Sequence, residues 1–483
     1  MQVRSFEAAR RAGLILAVVL GAVVLAFAAA TSGADAKSKR GPRPVPLIFV
    51  HGQSGSVQQF ESNAMRFDSN GFPKNRIFAY EYDTNESTND VAIAGLDPFI
   101  DRVLSKTGAR KVNILAHSRG TTVMHSFLST PERAARVNRY VNFDGRSADS
   151  PPGGVPTLAV WGELFSGTGP DTREIVGAKN VRYPEKSHTE VTTSKQAFGD
   201  VYEFLLGRKP KTRNVVPEPP GQVTVAGRAS LFPANTGMDD GTLKVFQVKA
   251  QTGQRKGRAI YRKELGPQGR FGPVKVNGRK HYEFVVTRPG KSTIHNYPEP
   301  FERDDHFYRV LSAPGLEPFL DTSPDHTNVA VTRMREFRGD QTGAGANDRL
   351  SFNGLNVINA AIAPRGRRVL AVFNLDRNSD RVTDTGTSLF PFNALSFLTG
   401  VDNYMPSSPD ASGRIAVREV MRQPGGQTKT INVPNWPSSE HTVSVFFRDY
   451  AAKAYAKPRK CRKGKKGKKS RKCRKAGRSN TGS

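Results

Sequence analysis

A serine, a histidine and a choice of carboxylates give this chain the parts of a nucleophilic catalyst. Ser118 stands in Val112-Asn-Ile-Leu-Ala-His-Ser-Arg-Gly-Thr-Thr122, with small residues, Ala116 and Gly120, two before and two after it. A serine hydroxyl attacks a carbonyl carbon effectively only when a base takes its proton, and histidine titrates near neutral pH. His188, 70 residues further on, is the candidate base. An acid must then fix the imidazole tautomer, and three compete: Asp144, Asp171 and Glu163. Charge developing on the attacked oxygen calls for backbone N–H donors. Gln53, in the glycine-rich run His51-Gly-Gln-Ser-Gly-Ser56, and Arg119, directly after the serine, are the residues placed to supply them.

The flanking sequence says how these residues are held. The apolar run Val112–Leu115 leads into the serine, and helix-compatible residues follow to Leu128. This reads as strand, sharp turn and helix, with Ser118 in a strained conformation at the apex. Pro46–Val50 reads as a buried strand delivering the glycine-rich loop, in which His51 orients the loop rather than acting as a base. Asn138–Phe143 is a strand that stops at Asp144-Gly145. Thr157–Trp161 is the next strand, followed by Gly162-Glu163 and a loop reaching Asp171. A short strand ending at Pro184 presents His188, ahead of an amphipathic helix carrying Phe198, Val201, Phe204 and Leu205. The rival His117 lies beside the serine with its ring expected to point away, and His125 is expected in the core or at the surface.

Residues 1–36 read as a secretory signal peptide: Arg4, Arg10 and Arg11, an apolar run from Leu14 to Ala30, and the small-x-small triplet Ala34-Asp35-Ala36. An uncleaved N-terminal anchor is the alternative, because the apolar run is long. The expected organisation is then a catalytic domain over 37–207, a Pro- and charge-rich linker over 208–221, a β-sandwich over 222–296 and a second β-rich unit over 297–450 packed on the first. The C-terminal half consists of short alternating segments separated by Gly, Pro and Asn, the pattern of a sandwich. Gly354–Ile362 fits strand or helix. No metal is expected: the histidines lack ligand spacing, and Asp376-Arg-Asn-Ser-Asp380 departs from a calcium loop at Arg381 and Thr387.

From Lys453 to Arg478 there are 15 Lys and Arg and no acid, half of the net charge of +30. Such a density of like charge cannot form a core, so 451–483 is expected to be a disordered basic tail. Cys461 and Cys473 bracket its most basic part and could pair in an exported protein. Behind a signal peptide the polyanions within reach are cell-wall polymers or lipid headgroups rather than nucleic acid.

Taken together, the stretches around Ser118, His188 and the glycine-rich loop resemble the α/β-hydrolase superfamily. More closely, His51-Gly52 through Phe60-Glu61, Arg66-Phe67, Asn70-Gly-Phe-Pro73, Glu81-Tyr-Asp-Thr84, Ala116–Gly120 and Val141-Asn-Phe-Asp-Gly145 are similar to the secreted two-domain lipases and carboxylesterases with a C-terminal β-domain. The likeness covers roughly residues 44–210. It implies an α/β fold, a lipid or other ester substrate, no cofactor, and Asp144 as the acid, since that group places its acid after the earlier strand. Arg119 is a departure, setting a guanidinium at the mouth. With every catalytic candidate ahead of Gly207, the β-half and tail are expected to localise and select substrate. The competing expectation is a non-catalytic cell-surface binding protein on a hydrolase scaffold.

Overall fold

Segments of four to seven residues, largely apolar except for the edge strand Lys179–Arg182, align as a parallel sheet. β1 (Leu47–Val50), β2 (Ile77–Tyr80), β3 (Val112–His117), β4 (Val137–Phe143), β5 (Thr157–Trp161) and β6 (Lys179–Arg182) lie in the order β2-β1-β3-β4-β5-β6, every pair parallel. The computed structural model describes residues 43–162, 172–423, 426–451 and 455. The expected signal peptide, Glu163, Asp171, both cysteines and nearly all of the basic tail lie outside the described residues.

A parallel sheet must be covered on both faces, which is why its strands read as continuous apolar runs. Helices α1 (Glu61–Ser69), α2 (Asp90–Thr107), α3 (Arg119–Leu128) and α4 (Lys195–Leu206) do the covering. Ile48, Val50 and Ile114 pack with Leu96 and Ile100 of α2 and Phe127 of α3. Leu47, Phe49, Leu115 and Val141 pack on the other face with Phe67 of α1 and Phe198 and Val201 of α4. Helix α4 starts where the Ser194 hydroxyl accepts the N–H groups of Gln196 and Ala197.

Beyond α4 the described chain is β-rich. Val223–Leu231 pairs antiparallel with Arg270–Val276 and parallel with Asp305–Ser312. An eight-stranded sheet runs Tyr261–Glu264, Thr242–Val248, His281–Thr287, Thr293–Pro298, His441–Phe446, Val329–Thr332, Ala371–Leu375, Leu398–Asp402. A further sheet joins Leu355–Asn356, Arg349–Phe352, Arg414–Val420 and Thr428–Pro434.

Three expectations need correction. The boundary at 296/297 cuts through the strand Thr293–Pro298, and Asp305–Ser312 still belongs to the first sheet, so the sandwich runs on to Ser312. The two β-units are not packed one on the other but share the eight-stranded sheet, joined where His441–Phe446 pairs with Thr293–Pro298 on one side and Val329–Thr332 on the other. Gly354–Ile362 is neither a long strand nor a helix; only Leu355–Asn356 pair, and Val357, Ile358 and Ile362 are buried as irregular backbone.

Nor does 208–221 hang loose. The Asn70 side chain bonds the backbone of Thr212 in both directions, and Val215 is buried with Met65 and Tyr450. From Val45 onward the described residues belong to one body. Phe307 of the sandwich sits edge-on to Phe49 of β1, and the Arg448 guanidinium pairs with buried Glu61 of α1 at 3.0 Å.

Candidate active site

Ser118 follows the last residue of β3 and caps α3, with φ 52 and ψ −123. For a residue with a Cβ this is a strained conformation, sustained only because its surroundings dictate it. The Ser118 N–H still reaches the Phe143 carbonyl of β4 at 3.1 Å, so the turn is pinned to the sheet edge. Gly120 is required by close approach: a Cβ there would lie 2.5 Å from the His51 carbonyl oxygen. Gly52 is required likewise, since its Cβ would stand 2.9 Å from that of Ser118. The glycine-rich loop and the serine turn are therefore in direct contact.

Asp144 follows the neighbouring residue of β4, at φ 44, and its N–H bonds the Val160 carbonyl at 2.7 Å. Its Oδ2 is 2.6 Å from Nδ1 of His188, both side chains buried. The other oxygen accepts the Gly162 N–H and an N–H of Arg173, each at 2.8 Å. Burial alone would raise this carboxyl, but the hydrogen bond and charge of His188, with the Arg173 guanidinium, hold it down to about 2. An ionised acceptor on Nδ1 leaves Nε2 as the His188 atom that can take a proton. Of the three candidate acids, Asp144 is placed against His188; Asp171 and Glu163 are outside the described residues.

His117 has a part that its position in the sequence does not reveal. Its Nε2 lies 2.9 Å from the His188 carbonyl oxygen, and the two rings are 4.5 Å apart. Burial, reinforced by His188, keeps it neutral by lowering its pKa well below the ordinary value. It braces the base. His51 orients its loop as expected: it is fully buried, stacked on Tyr82 at 4.4 Å, and its Nε2 accepts the Tyr82 N–H. Burial lowers its pKa to about 4, which suits an acceptor. His125 lies in α3, edge-on to Tyr140.

Arg119 is the first residue of α3, where a backbone N–H has no partner within the helix. Its guanidinium does not hang at the mouth. It donates to the Asn89 side chain, the Gln53 side chain and the carbonyls of Thr84, Glu86 and Thr88, at 2.6 to 3.0 Å. All five of its N–H donors are engaged, tying the segment 84–89 to the glycine-rich loop. Gln53 also donates to the Thr84 carbonyl at 2.8 Å.

Ser118 and Gln53 open into an apolar cavity of about 190 Å³. Its walls come from all three parts of the chain: His117 and Thr189, then Phe232 and Leu311, then Leu316, Met334, Phe373 and Phe397. A wider, open depression of about 660 Å³ around His125 and Arg146 does not include Ser118. Phe397 is unusual in carrying a bulky ring at φ 71. No local sequence pattern marks Phe397 or Arg173 as neighbours of the site, because each arrives through tertiary packing. The Asp376–Asp380 segment is a turn in which the Asp376 carboxylate accepts the Arg381 N–H.

The family model described as lipase (class 2) matches residues 44–130, the lipase C-terminal domain matches 221–314, and a further C-terminal-domain model matches 315–451. Among solved structures the chain is similar to Aspergillus fumigatus lipase B, with 12% identity and TM-score 0.29, over 38% of this chain and 56% of that one. It is also similar to a Bacillus licheniformis lipase (15%, TM-score 0.25, 35% and 94%) and a Bacillus subtilis carboxylesterase (15%, TM-score 0.24, 35% and 86%). The parallel sheet, the strand–serine–helix turn and the family matches identify the chain as an α/β-hydrolase with an additional C-terminal domain. It is lipase-like in its first half.

Proposed function

We propose that this protein is an exported serine hydrolase that cleaves carboxylic esters through an acyl-enzyme. Ser118 Oγ attacks the acyl carbonyl while His188 Nε2 takes its proton. The N–H groups of Gln53 and Arg119 hold the tetrahedral oxyanion. Collapse breaks the C–O bond to the alcohol, which leaves with the proton from His188. Water, deprotonated by the same imidazole, then releases the acid and restores the serine. Asp144 fixes the tautomer and stabilises the imidazolium. The observation that carries this reading is the buried 2.6 Å contact between Asp144 and His188, beside a strained serine that faces an apolar cavity. An apolar cavity at the serine favours an acyl chain as the bound group.

The reading includes export, from the composition of residues 1–36, and retention on anionic cell-wall polymers or membrane surfaces by the basic tail, from its charge. Deleting Lys453–Ser483 should weaken salt-sensitive retention and leave turnover of a small soluble ester unchanged.

The test is labelling by a fluorophosphonate, which needs an activated serine, combined with hydrolysis of a p-nitrophenyl ester series. Wild-type protein should be labelled on Ser118 and Ser118→Ala should be inert, with turnover lowered by several orders of magnitude. A Ser118→Ala protein retaining more than about a tenth of wild-type turnover contradicts the assignment, as does an unlabelled wild type. The latter outcome would favour a binding protein on a hydrolase scaffold.

A further inference from the structure

We infer that Glu336, from the C-terminal part of the chain, is a positioning residue that sets the base His188 for catalysis; this rests on the serine-hydrolase reading. His188 lies in a turn between β6 and the short helix Glu190–Thr193. The segment is buried from Ser187 through Ser194, yet His188 itself contributes no backbone pairing to the parallel sheet. Besides Asp144 on its ring and His117 on its carbonyl, something must fix the turn itself.

The Glu336 carboxylate does so from the far side. Its Oε1 accepts the N–H of Thr189 at 2.5 Å, and its Oε2 accepts the N–H of Glu190 at 3.2 Å and the hydroxyl of Ser187. Three donors around His188 thus converge on one carboxylate. A negative charge on N–H groups at the start of a helical turn is also favourable electrostatically.

Glu336 is itself held. Fully buried Arg333 donates to the backbone carbonyls of Arg335 and Glu336, and is flanked by Asp348 at 2.7 Å and Glu419 at 2.6 Å. Arg422 donates to the Glu336 carbonyl and to Asp348, and its other amino group reaches Glu190 at 2.6 Å. Arg335 adds a second ion pair to Glu190, at 3.2 Å. The turn bearing His188 is therefore clamped at its carboxylate, Glu190, and at its N–H groups by one buried ionic cluster. Buried ion pairs of this kind confer geometric definition more dependably than stability. A base must be placed within a fraction of an ångström, and a misplacement of about 1 Å can cost about 10²-fold in rate.

The experiment uses the full chain and variants E336A, E336Q and E336D, with p-nitrophenyl acetate turnover and the rate of fluorophosphonate labelling as readouts. E336A should lower kcat by about 10²-fold with KM unchanged, and slow labelling in parallel. E336Q, which keeps an oxygen acceptor for the Thr189 N–H, should recover at least about a tenth of wild-type kcat. Should E336A fail to fold, E336D decides, because it keeps the charge and draws it back by one methylene; its kcat should fall at least about tenfold. As a control, Arg381→Ala, which breaks an exposed pair with Asp325, should leave kcat unchanged. If wild type is labelled on Ser118 and E336A and E336D are labelled at the same rate, with only thermal stability lowered, Glu336 is structural and the inference fails alone. An unlabelled wild type takes the serine-hydrolase reading and this inference down together.

Discussion

The ring of Phe397 lies nearly parallel to that of His188, 13° apart with centroids at 6.3 Å, although the two residues come from opposite halves of the chain. Phe397 holds this place at φ 71, at a backbone cost of about 1–3 kcal/mol that the surrounding fold must offset. The Leu370 and Ala371 N–H groups both bond its carbonyl, which is how the conformation is imposed. The ring forms a wall of the cavity next to His188.

Replacing Phe397 by Ala should therefore weaken selection more than chemistry. Loss of one apolar wall is worth about 1–3 kcal/mol in discrimination. The preference for long over short p-nitrophenyl esters, taken as a ratio of kcat/KM, should drop about tenfold while kcat on the acetate changes little. An equal loss on both substrates would place the ring in the chemistry instead.

Asp144→Asn should lower turnover by about 10⁴, because the amide presents the wrong partner to Nδ1 and favours the wrong tautomer. Arg173→Met removes one of two donors to the other carboxylate oxygen and leaves the His188 contact in place. It should cost less than about tenfold. A mild Asp144→Asn would return the acid to the later strand, at Glu163 or Asp171.

Acid should loosen the union of the two halves in a defined window. Burial raises the Glu81 carboxyl, but the Arg309 and Arg228 guanidiniums outweigh it and hold it at about 2, against an ordinary 4.5. A carboxyl depressed in this way stabilises the fold above pH 4.5, by about 3 kcal/mol, and that contribution is lost as pH falls from 4.5 towards 2. The measurement is thermal unfolding between pH 7 and 3. Glu81→Gln should unfold at a lower temperature at pH 7, with a shallower dependence on pH below 4.5. A parallel loss at every pH would contradict the role given to its charge.

A chain cut after Gly207 should not keep short-chain esterase activity, contrary to what the order of residues along the sequence implies. Cutting there removes Arg228 and Arg309 from Glu81, Arg335 and Arg422 from Glu190, and Arg448 from Glu61. Losing the partners of a buried charge costs about 3–5 kcal/mol where the charge stays buried. It also uncovers Phe49 where Phe307 packs. The expected outcome is a truncated protein that is insoluble or labels with a fluorophosphonate at least about 10²-fold more slowly than the full chain. A soluble fragment with wild-type activity on the acetate would restore the simpler division of labour.

The contrast marks what local sequence can carry. Ser118 was legible because a strand, a sharp turn and a helix are all specified by neighbouring residues, down to Gly120. Asp144 was legible only as one of three carboxylates near strand ends, since local sequence does not say which strand end lies beside His188; its contact with His188 comes from the pairing of β3 with β4. The partners of Arg119 were not legible, since its acceptors lie in the segment 84–89 and at Gln53, 30 or more residues earlier. Glu336 and Phe397 were illegible. Nothing near them in the chain differs from an ordinary loop, and their meaning comes only from which surface they meet. The same holds for the sandwich boundary: alternation identifies strands but not their neighbours, so a sheet shared by two units reads as two sheets.

That shared sheet has a consequence for how the molecule comes into being. The strand His441–Phe446 lies between Thr293–Pro298 and Val329–Thr332, parallel to both, and it is made after every other strand of the described chain. Until it emerges from the ribosome, the two halves of the sheet have no hydrogen bonds to each other, and pairings this remote in sequence close late. The clamp on the His188 turn depends on residues in the later half. A nascent chain therefore carries Ser118 for most of its synthesis without the finished surroundings of the His188 turn, and that turn is clamped only once the last strand is in place.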